Sequence, residues 1–267
     1  MTCRVTILGC GSSGGVPRVG AGWGACDPTN PKNRRRRCSI LVETNNDNGT
    51  TIVLVDTSPD LREQLLDAHV KRLDAVLFTH SHADHVHGID DLRPLVIAMR
   101  RKIPIYADRM TSELLQARFG YCFEAPAGSG YPPILTVHHL DRQAPTSIAG
   151  PGGTISAMPF RMIHGDMDAY GFRIGGMAYA PDVSQMPKES IEMLRGLDIL
   201  VLDALRYTPH PTHFSVSEAL ALIEQVKPGR AILTNLHTDV DYEELRAQLP
   251  ENVEPAFDGM TLTLDTD

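Results

Sequence analysis

Four side chains of the kinds that bind transition metals lie close together in the run His80-Ser-His82-Ala-Asp84-His85. Imidazole nitrogens and carboxylate oxygens are ligands that Zn²⁺, Mn²⁺ and Fe²⁺ accept in proteins. In a turn with this spacing, His80 and His82 could hold one ion while Asp84 and His85 hold its neighbour. The alternative is a polar turn whose histidines face solvent, but four ligand-type residues at this spacing favour a metal site.

Two ions held by four ligands would be under-coordinated, so this interpretation requires further ligands later in the chain. Three candidates each follow a strand-like run: His164, Asp182 and His237. A histidine that stands alone after a strand is more often a surface residue. In the company of the first motif, however, all three become candidate ligands of a binuclear centre.

The elements that must position these residues alternate along the chain. Short runs rich in β-branched residues and bounded by Gly, Pro, Asn or Asp predict strands. These span residues 5–8, 39–43, 52–56, 75–78, 134–137, 155–162, 171–174, 177–180, 199–202, 231–233 and 261–264. Helical spacing is found at residues 59–68, 111–119, 187–195, 215–225 and 242–248. Interleaved strands and helices predict the α/β class, and we expect a single domain over residues 1–267.

Helix starts and long loops refine this outline. Ser215 and Glu218 have the spacing of a capping box, and Asp241 is placed as the N-cap of the last helix. Two long connections, residues 9–38 and 123–133, lack a predicted element. Long loops of this kind in a compact domain are commonly functional or mobile.

Composition limits the possible partners and location. The 267 residues carry a formal net charge of −8, which disfavours tight non-specific binding to the phosphate backbone of nucleic acids. The five cysteines form no CxxC pair and no disulfide-rich pattern; they are Cys3, Cys10, Cys26, Cys38 and Cys122. With no signal-peptide core at the start and no apolar run near the roughly 20 residues of a bilayer span, we expect a cytoplasmic protein without a membrane partner.

The order of the candidate ligands resembles that of the metallo-β-lactamase superfamily: H-x-H-x-D-H, then a distant His, Asp and His at strand ends. The opening Leu8-Gly-Cys-Gly-Ser-Ser-Gly-Gly-Val-Pro17 resembles the phosphodiesterase branch. That branch contains transfer-RNA 3′-processing nucleases and the phosphoribosyl cyclic phosphate phosphodiesterase of phosphonate catabolism. Further shared features are Arg36-Arg37-Cys38-Ser39, Val55-Asp56 and Phe257-Asp-Gly-Met260, so the resemblance covers essentially the whole chain.

This resemblance implies a fold and a ligand set. The fold would be a four-layer αβ/βα sandwich. One metal would be held by His80, His82 and His164, and the other by Asp84, His85 and His237, with Asp182 as the bridge. The ions would be Zn²⁺ or Mn²⁺ and would share a hydroxide that attacks the substrate. Asp84 is also predicted to be catalytic. Asp56 would orient the histidine loop from behind the ligands, although a strand-end cap is an equally good interpretation.

Other residues are candidates for substrate contact. Relatives in the branch have a histidine at a place comparable to His213, where it meets the scissile phosphate and protonates the leaving oxygen. The alternative for His213 is a helix-start residue with no substrate contact. The glycine-rich residues 9–15 could present backbone amides and the hydroxyls of Ser12 and Ser13 to a phosphate. The basic run 34–37 is either a solvated face or a source of positive potential near the site, and Trp23 either stacks on a base or anchors its loop.

The sequence departs from the family pattern at three places, which affect the expected metal sites and the expected size of the substrate. Within the first long loop, the stretch Val19–Cys26 keeps only one cysteine, so the structural zinc that the phosphonate-pathway enzyme holds there is predicted to be absent. His237 lies two residues later than the usual ligand, which leaves Asn235 as an alternative at that site. The chain also lacks a segment resembling the protruding arm of transfer-RNA processing enzymes, which argues against a large RNA substrate.

The favoured function is a metal-dependent phosphodiesterase that acts on a small cyclic or nucleotide-like phosphate ester. Alternatives are a glyoxalase-type thioesterase and a non-catalytic relative of the pyrroloquinoline quinone accessory protein. A di-iron oxidoreductase is disfavoured because such members have Glu where this chain has His82. The sequence leaves open whether the chain forms a homodimer.

Overall fold

The computed structural model describes residues 2–125 and 127–265, which form two seven-stranded sheets. The strand order across the first sheet is β14 (Thr261–Asp265), β1 (Thr2–Gly9), β2 (Ser39–Asn46), β3 (Gly49–Val55), β4 (Ala75–Leu77), β5 (Ile103–Ala107) and β6 (Leu135–His139). The order across the second is β13 (Val253–Pro255), β12 (Arg230–Thr234), β11 (Ile199–Asp203), β10 (Met177–Ala180), β9 (Met167–Ile174), β8 (Gly153–His164) and β7 (Thr146–Gly150).

Helices cover the outer face of each sheet. The first sheet carries α1 (Leu61–Asp67), α2 (Ala83–Val86), α3 (Arg93–Met99) and α4 (Arg109–Phe123). The second carries α5 (Lys188–Met193), α6 (Val216–Val226) and α7 (Tyr242–Gln248). Two short 3₁₀ helices lie at Pro31–Asn33 and Ile89–Leu92.

The cores explain this layering. Alternate side chains of both sheets form one apolar cluster between them, with Phe172 and Tyr179 of the second sheet packed against residues such as Val55 of the first. The opposite faces form separate clusters with the helices. Sheets that bury both faces in this way must have a helical layer outside each. The predicted four-layer α/β sandwich is therefore confirmed, while the single domain over residues 1–267 stays a prediction.

The direction of the strands brings the candidate ligands to one edge. Strands β3, β4 and β5 run parallel in the first sheet, as do β10, β11 and β12 in the second. Strand β8 is antiparallel to β9, which is antiparallel to β10, so β8 ends at the same edge as β10. The carboxyl ends of these strands therefore lie together, at the position where open α/β sheets bind ligands.

Each strand predicted from the sequence is present, within a few residues of its predicted ends. Strands β5, β7 and β13 and helices α2 and α3 were not predicted. Pro104 lies inside β5, and proline is a poor residue for a strand interior, so the sequence signal is weak there. The capping box of Ser215 with Glu218 and the Asp241 cap are both confirmed. Within the described part of the chain, no helix is both long and apolar enough to cross a bilayer.

Candidate metal centre

Ligand-type side chains from both sheets meet at the shared edge. Their ligand atoms lie within 4.8 Å of one another in three groups: His80 with His82 and His164, His80 with His85 and Asp182, and His164 with Asp182 and His213. The first motif follows β4, His164 ends β8, and Asp182 follows β10. Six of the predicted site residues are thus brought together, although they are widely separated in the sequence.

The buried carboxylate of Asp56 sets the proton positions of two of these histidines. Its oxygens accept hydrogen bonds from the Thr79 backbone N at 2.8 Å, from Thr79 Oγ1 at 2.8 Å and from His85 Nδ1 at 2.7 Å. Since the Thr79 hydroxyl donates to Asp56, it can only accept from His80 Nδ1, which lies 3.0 Å away. Both rings therefore carry a proton on Nδ1 and direct the lone pair of Nε2 to the centre.

His164 and His213 are oriented by other partners. His164 Nδ1 donates to the Thr212 carbonyl at 2.6 Å, which leaves its Nε2 as an acceptor 3.2 Å from His82 Nδ1. His213 Nδ1 lies 2.8 Å from Asp203 Oδ2. Burial lowers the pKa of His164 and, more strongly, that of His80. A neutral imidazole is the form that binds a metal.

The buried atoms of the centre fit a bound cation. His80 Nε2 and Asp182 Oδ2 are buried without a hydrogen-bond partner among the described residues. His85 Nε2, deprotonated when its single proton is on Nδ1, lies 3.1 Å from Asp182 Oδ2 and 3.5 Å from Asp84 Oδ2. Electron-rich atoms that face one another in a buried site require a positive charge between them. The donor set of imidazoles and carboxylates suits Zn²⁺ or Mn²⁺.

The pKa shifts of His85 and of the carboxylates around it also show that this site favours a positive charge. Burial alone lowers the pKa of His85, but Asp182, Asp84 and Asp56 together raise it well above its ordinary value. Burial raises the pKa of Asp182, yet His85 holds it well below the usual range. Against its own burial, His85 also lowers the pKa of Asp84, to about 2. These carboxylates are therefore ionised, as metal ligands must be.

The structure disagrees with the prediction that His237 is a metal ligand. His237 Nε2 lies 2.5 Å from Arg18 Nη1, and His237 Nδ1 lies 3.0 Å from Asp239 Oδ1. A guanidinium only donates, so Nε2 must accept from Arg18 and Nδ1 must carry the proton. No lone pair of the ring is left for an ion. The cause is the neighbouring Leu236, which is buried and forms a bridge with Gly11, so the next side chain faces the first long loop.

Asn235 lies beside the centre instead, with its backbone at a φ of 62°. Its Nδ2 donates to the Pro181 carbonyl at 2.9 Å and to Asp182 Oδ1 at 3.2 Å. The amide nitrogen therefore faces the centre, and a nitrogen that donates is not a metal ligand. Asn235 thus orients the Asp182 carboxylate through a hydrogen bond and does not take the ligand position predicted for His237.

Asp203 is a functional candidate that the sequence analysis missed. It ends β11, is fully buried and accepts a hydrogen bond from the Val183 backbone N at 3.0 Å as well as from His213. Burial raises the pKa of Asp203 to about 7 despite the nearby His213. Burial lowers the pKa of His213, but Asp203 and then Asp182 raise it to about 9. The available signal was an apolar strand ending in Asp, the same signal that drew attention to Asp56.

The glycine-rich loop has two different serines. Ser12 is buried and its Oγ has no hydrogen-bond partner among the described residues, whereas Ser13 is exposed. Ser13 lines a cavity of about 440 Å³ that reaches Asp84. Of the basic run, Arg35 is buried and donates to the Val240 carbonyl at 2.7 Å. Only Arg37 of that run lines this cavity.

Comparisons with known proteins agree with this architecture. The profile of the family described as a beta-lactamase superfamily domain matches residues 51–235. The chain is 34% identical over 265 residues to an octanoyltransferase of Porphyromonas gingivalis, covering 98% of the chain and 52% of that protein. It thus spans about half the length of this relative. It is 25% identical over 308 aligned positions to coenzyme PQQ synthesis protein B of Methylobacterium sp., covering 98% and 100%.

Two solved structures are also similar. A crystal structure described as a new diphosphatase from the PhnP family superposes with a TM-score of 0.88 at 36% identity, covering 98% of each chain. Zn²⁺-bound PqqB from Methylobacterium extorquens superposes with a TM-score of 0.73 at 19% identity, covering 97% of this chain and 99% of that one. The second likeness shows the fold alone.

Replacing Asp56 with Asn should weaken metal binding about ten- to a hundredfold, because the amide disturbs the proton positions of His80 and His85. Titration of the metal-free protein against a competing chelator dye measures the affinity, with circular dichroism to check the fold. Asp47→Asn, which makes the same change at an exposed turn, is the matched control. Equal affinities of the two variants would contradict the role given to Asp56.

Replacing His237 with Ala should leave the metal content per chain unchanged, because both ring nitrogens already have partners outside the centre. Elemental analysis of the purified variant provides the measurement. His85→Ala, whose Nε2 faces two carboxylates, should lose metal under the same purification. A parallel loss in both variants would restore His237 as a ligand.

Proposed function

Since the chain belongs to the metallo-β-lactamase superfamily, we propose that it is a metal-dependent phosphodiesterase acting on a small cyclic or nucleotide-like phosphate ester. The observation that carries the proposal is the group of buried, unpaired acceptors, His80 Nε2 and Asp182 Oδ2, beside His85 Nε2. The similarity to a diphosphatase at 36% identity over nearly the whole chain supports phosphorus as the reacting atom.

Two groups of side chains would hold the ions. His80, His82 and His164 form the first, and His85 with Asp84 and Asp182 forms the second, so that Asp182 lies next to both. When bound, a pair of divalent ions supplies a nucleophile at neutral pH and disperses the negative charge of the reacting phosphate. The protein's own part is to orient the rings: Asp56 and Thr79 fix His80 and His85, and the Thr212 carbonyl fixes His164.

His213 would protonate the leaving oxygen. Asp203 occupies its Nδ1 at 2.8 Å, so Nε2 remains available on the other side of the ring. The centroid of its ring lies 4.6 Å from that of the His164 ring, next to the first group of candidate ligands. A general acid needs this combination of a fixed ring and reach to the departing oxygen. Because His213 also falls in one of the metal-capable groups, a ligand role is the competing assignment.

Other functions have weaker support. The name octanoyltransferase belongs to a relative about twice as long, so acyl transfer is not assigned to the matched half. A thioesterase would use the same ligand set and differs only in its substrate. A non-catalytic relative of coenzyme PQQ synthesis protein B would not require His213 to be held by a buried carboxylate, as it is here. A cytoplasmic location stays a prediction.

Hydrolysis of bis(p-nitrophenyl) phosphate by protein supplied with Mn²⁺ or Zn²⁺ tests the proposal. We expect turnover that is abolished by EDTA and restored by added metal, and absent in Asp182→Ala, which removes the carboxylate that lies next to both groups. Release of p-nitrophenolate is followed by absorbance. Cleavage of a thioester such as S-lactoylglutathione by the same metal-loaded preparation, with the diester left intact, would replace this proposal with a thioesterase.

Replacing His213 with Gln should lower kcat about 10²- to 10⁴-fold for diesters with a poor leaving group. The loss should be much smaller for p-nitrophenyl esters, because p-nitrophenolate leaves without a proton. The leaving-group dependence of kcat and the metal content of the variant are measured together. Loss of metal from the variant, with an equal loss of rate for both leaving groups, would identify His213 as a ligand instead.

A further inference from the structure

The two groups of side chains that would hold the ions differ in their donor atoms. The first group consists of three imidazoles, those of His80, His82 and His164, whose donor atoms lie within 4.8 Å of one another. The second group has the imidazole of His85 beside the carboxylates of Asp84 and Asp182. Imidazole suits Zn²⁺, whereas carboxylate oxygens suit harder ions such as Mn²⁺ and Mg²⁺. The two groups therefore offer unlike environments to a divalent ion.

The segment after β12 contributes no ligand to the second group. Asn235 Nδ2 lies 2.9 Å from the Pro181 carbonyl oxygen and 3.2 Å from Asp182 Oδ1. Both of these oxygens only accept hydrogen bonds, so the amide presents its N–H donors on this side. His237, two residues further on, has its ring nitrogens on Arg18 and Asp239. The position from which a last imidazole was expected is thus occupied by a hydrogen-bond donor.

The hydrogen bond from Asn235 also distinguishes the two oxygens of Asp182. Oδ1 accepts from the buried Asn235 amide, whereas Oδ2 is buried without a hydrogen-bond partner among the described residues and lies 3.1 Å from His85 Nε2. Only Oδ2 is therefore free of a protein donor. His213, another imidazole nearby, is grouped with His164 and Asp182 and not with His85. The second group is left with one imidazole nitrogen and carboxylate oxygens.

We propose that the centre is asymmetric, with a firmly retained Zn²⁺ on the three imidazoles and a weakly held, exchangeable divalent ion beside His85. Asn235 sets this difference, because it takes the place of an imidazole and offers a donor where an ion needs a lone pair. The weaker group, rich in oxygen donors, accepts Mn²⁺ as well as Zn²⁺. The inference rests on the proposed function only for the presence of two ions, and metal binding is measured without turnover.

Retention of zinc tests the proposal. Protein loaded with excess Zn²⁺ is dialysed against nitrilotriacetate, a chelator of moderate affinity, and its metal content is measured by elemental analysis. We expect the wild type to keep about one Zn²⁺ per chain and Asn235→His to keep about two, because the added imidazole completes the second group. Histidine is among the residues that tolerate the φ of 62° at this position. Asn48→His, which makes the same change at an exposed turn, is the matched control and should behave as the wild type.

Uptake of Mn²⁺ locates the exchangeable ion. The dialysed wild type should bind about one Mn²⁺ per chain, followed as loss of the free-ion signal in electron paramagnetic resonance. Asp84→Asn, which removes a carboxylate from the second group, should bind Mn²⁺ at least about tenfold more weakly and keep the retained Zn²⁺. This variant decides the question if circular dichroism shows that Asn235→His does not fold.

Three results would overturn the asymmetric centre. They are equal retention of both Zn²⁺ ions by the wild type, a folded Asn235→His that retains no more Zn²⁺ than Asn48→His, and undiminished Mn²⁺ uptake by Asp84→Asn. The diester assay on the same wild-type preparation, supplied with both ions, separates this inference from the proposed function. The expected metal pattern without diester turnover would contradict the phosphodiesterase and leave the asymmetry, whereas turnover by a protein that retains both Zn²⁺ ions equally would do the reverse.

Discussion

Burial of the Asp56 carboxylate behind two histidines is the interaction on which the centre depends. A buried carboxylate is costly unless its oxygens are hydrogen-bonded, and here three donors from Thr79 and His85 satisfy it. The two bonds from the side chains of Thr79 and His85 also decide where a proton resides. Because the Thr79 hydroxyl passes the constraint on to His80, one carboxylate fixes the tautomers of two rings. The backbone of Asp56 has a φ of 64°, a conformation that Asp tolerates better than most residues.

Both sheets contribute side chains to the centre, so repulsion between these side chains acts between the two sheets. Each metal-capable group combines residues of the first motif with His164 or Asp182 of the second sheet, or joins residues of the second sheet to His213. Lone pairs and carboxylates that face one another oppose the approach of these edges. The apolar cluster between the sheets holds them together nonetheless. A cation bound between these groups would remove their mutual repulsion. Metal binding would therefore also stabilise the fold.

The sequence predicted much of this because the strongest signals were local. The first motif places four possible ligands within six residues. The strands near the centre are short, apolar and bounded by polar residues. Both features were recognisable without tertiary information. His237 was assigned wrongly because its distance from β12 does not reveal which side of the chain faces the centre. That is decided by the burial of Leu236 and its pairing with the glycine-rich loop. Asp203 was missed because the sequence does not show which carboxylate pairs with His213. That pairing is set by the fold.

Asn235 and His237, two residues apart in the segment after β12, face different parts of the structure. The turn at Asn235 keeps a polar side chain on Asp182 while it directs the histidine to the first long loop. The ring nitrogens of His237 contact Arg18 and Asp239 rather than the candidate metal ligands. The offset of His237 from the expected ligand position thus places its ring beside the guanidinium of Arg18. The short segment that follows β12 therefore contacts Asp182 through Asn235 and the first long loop through His237.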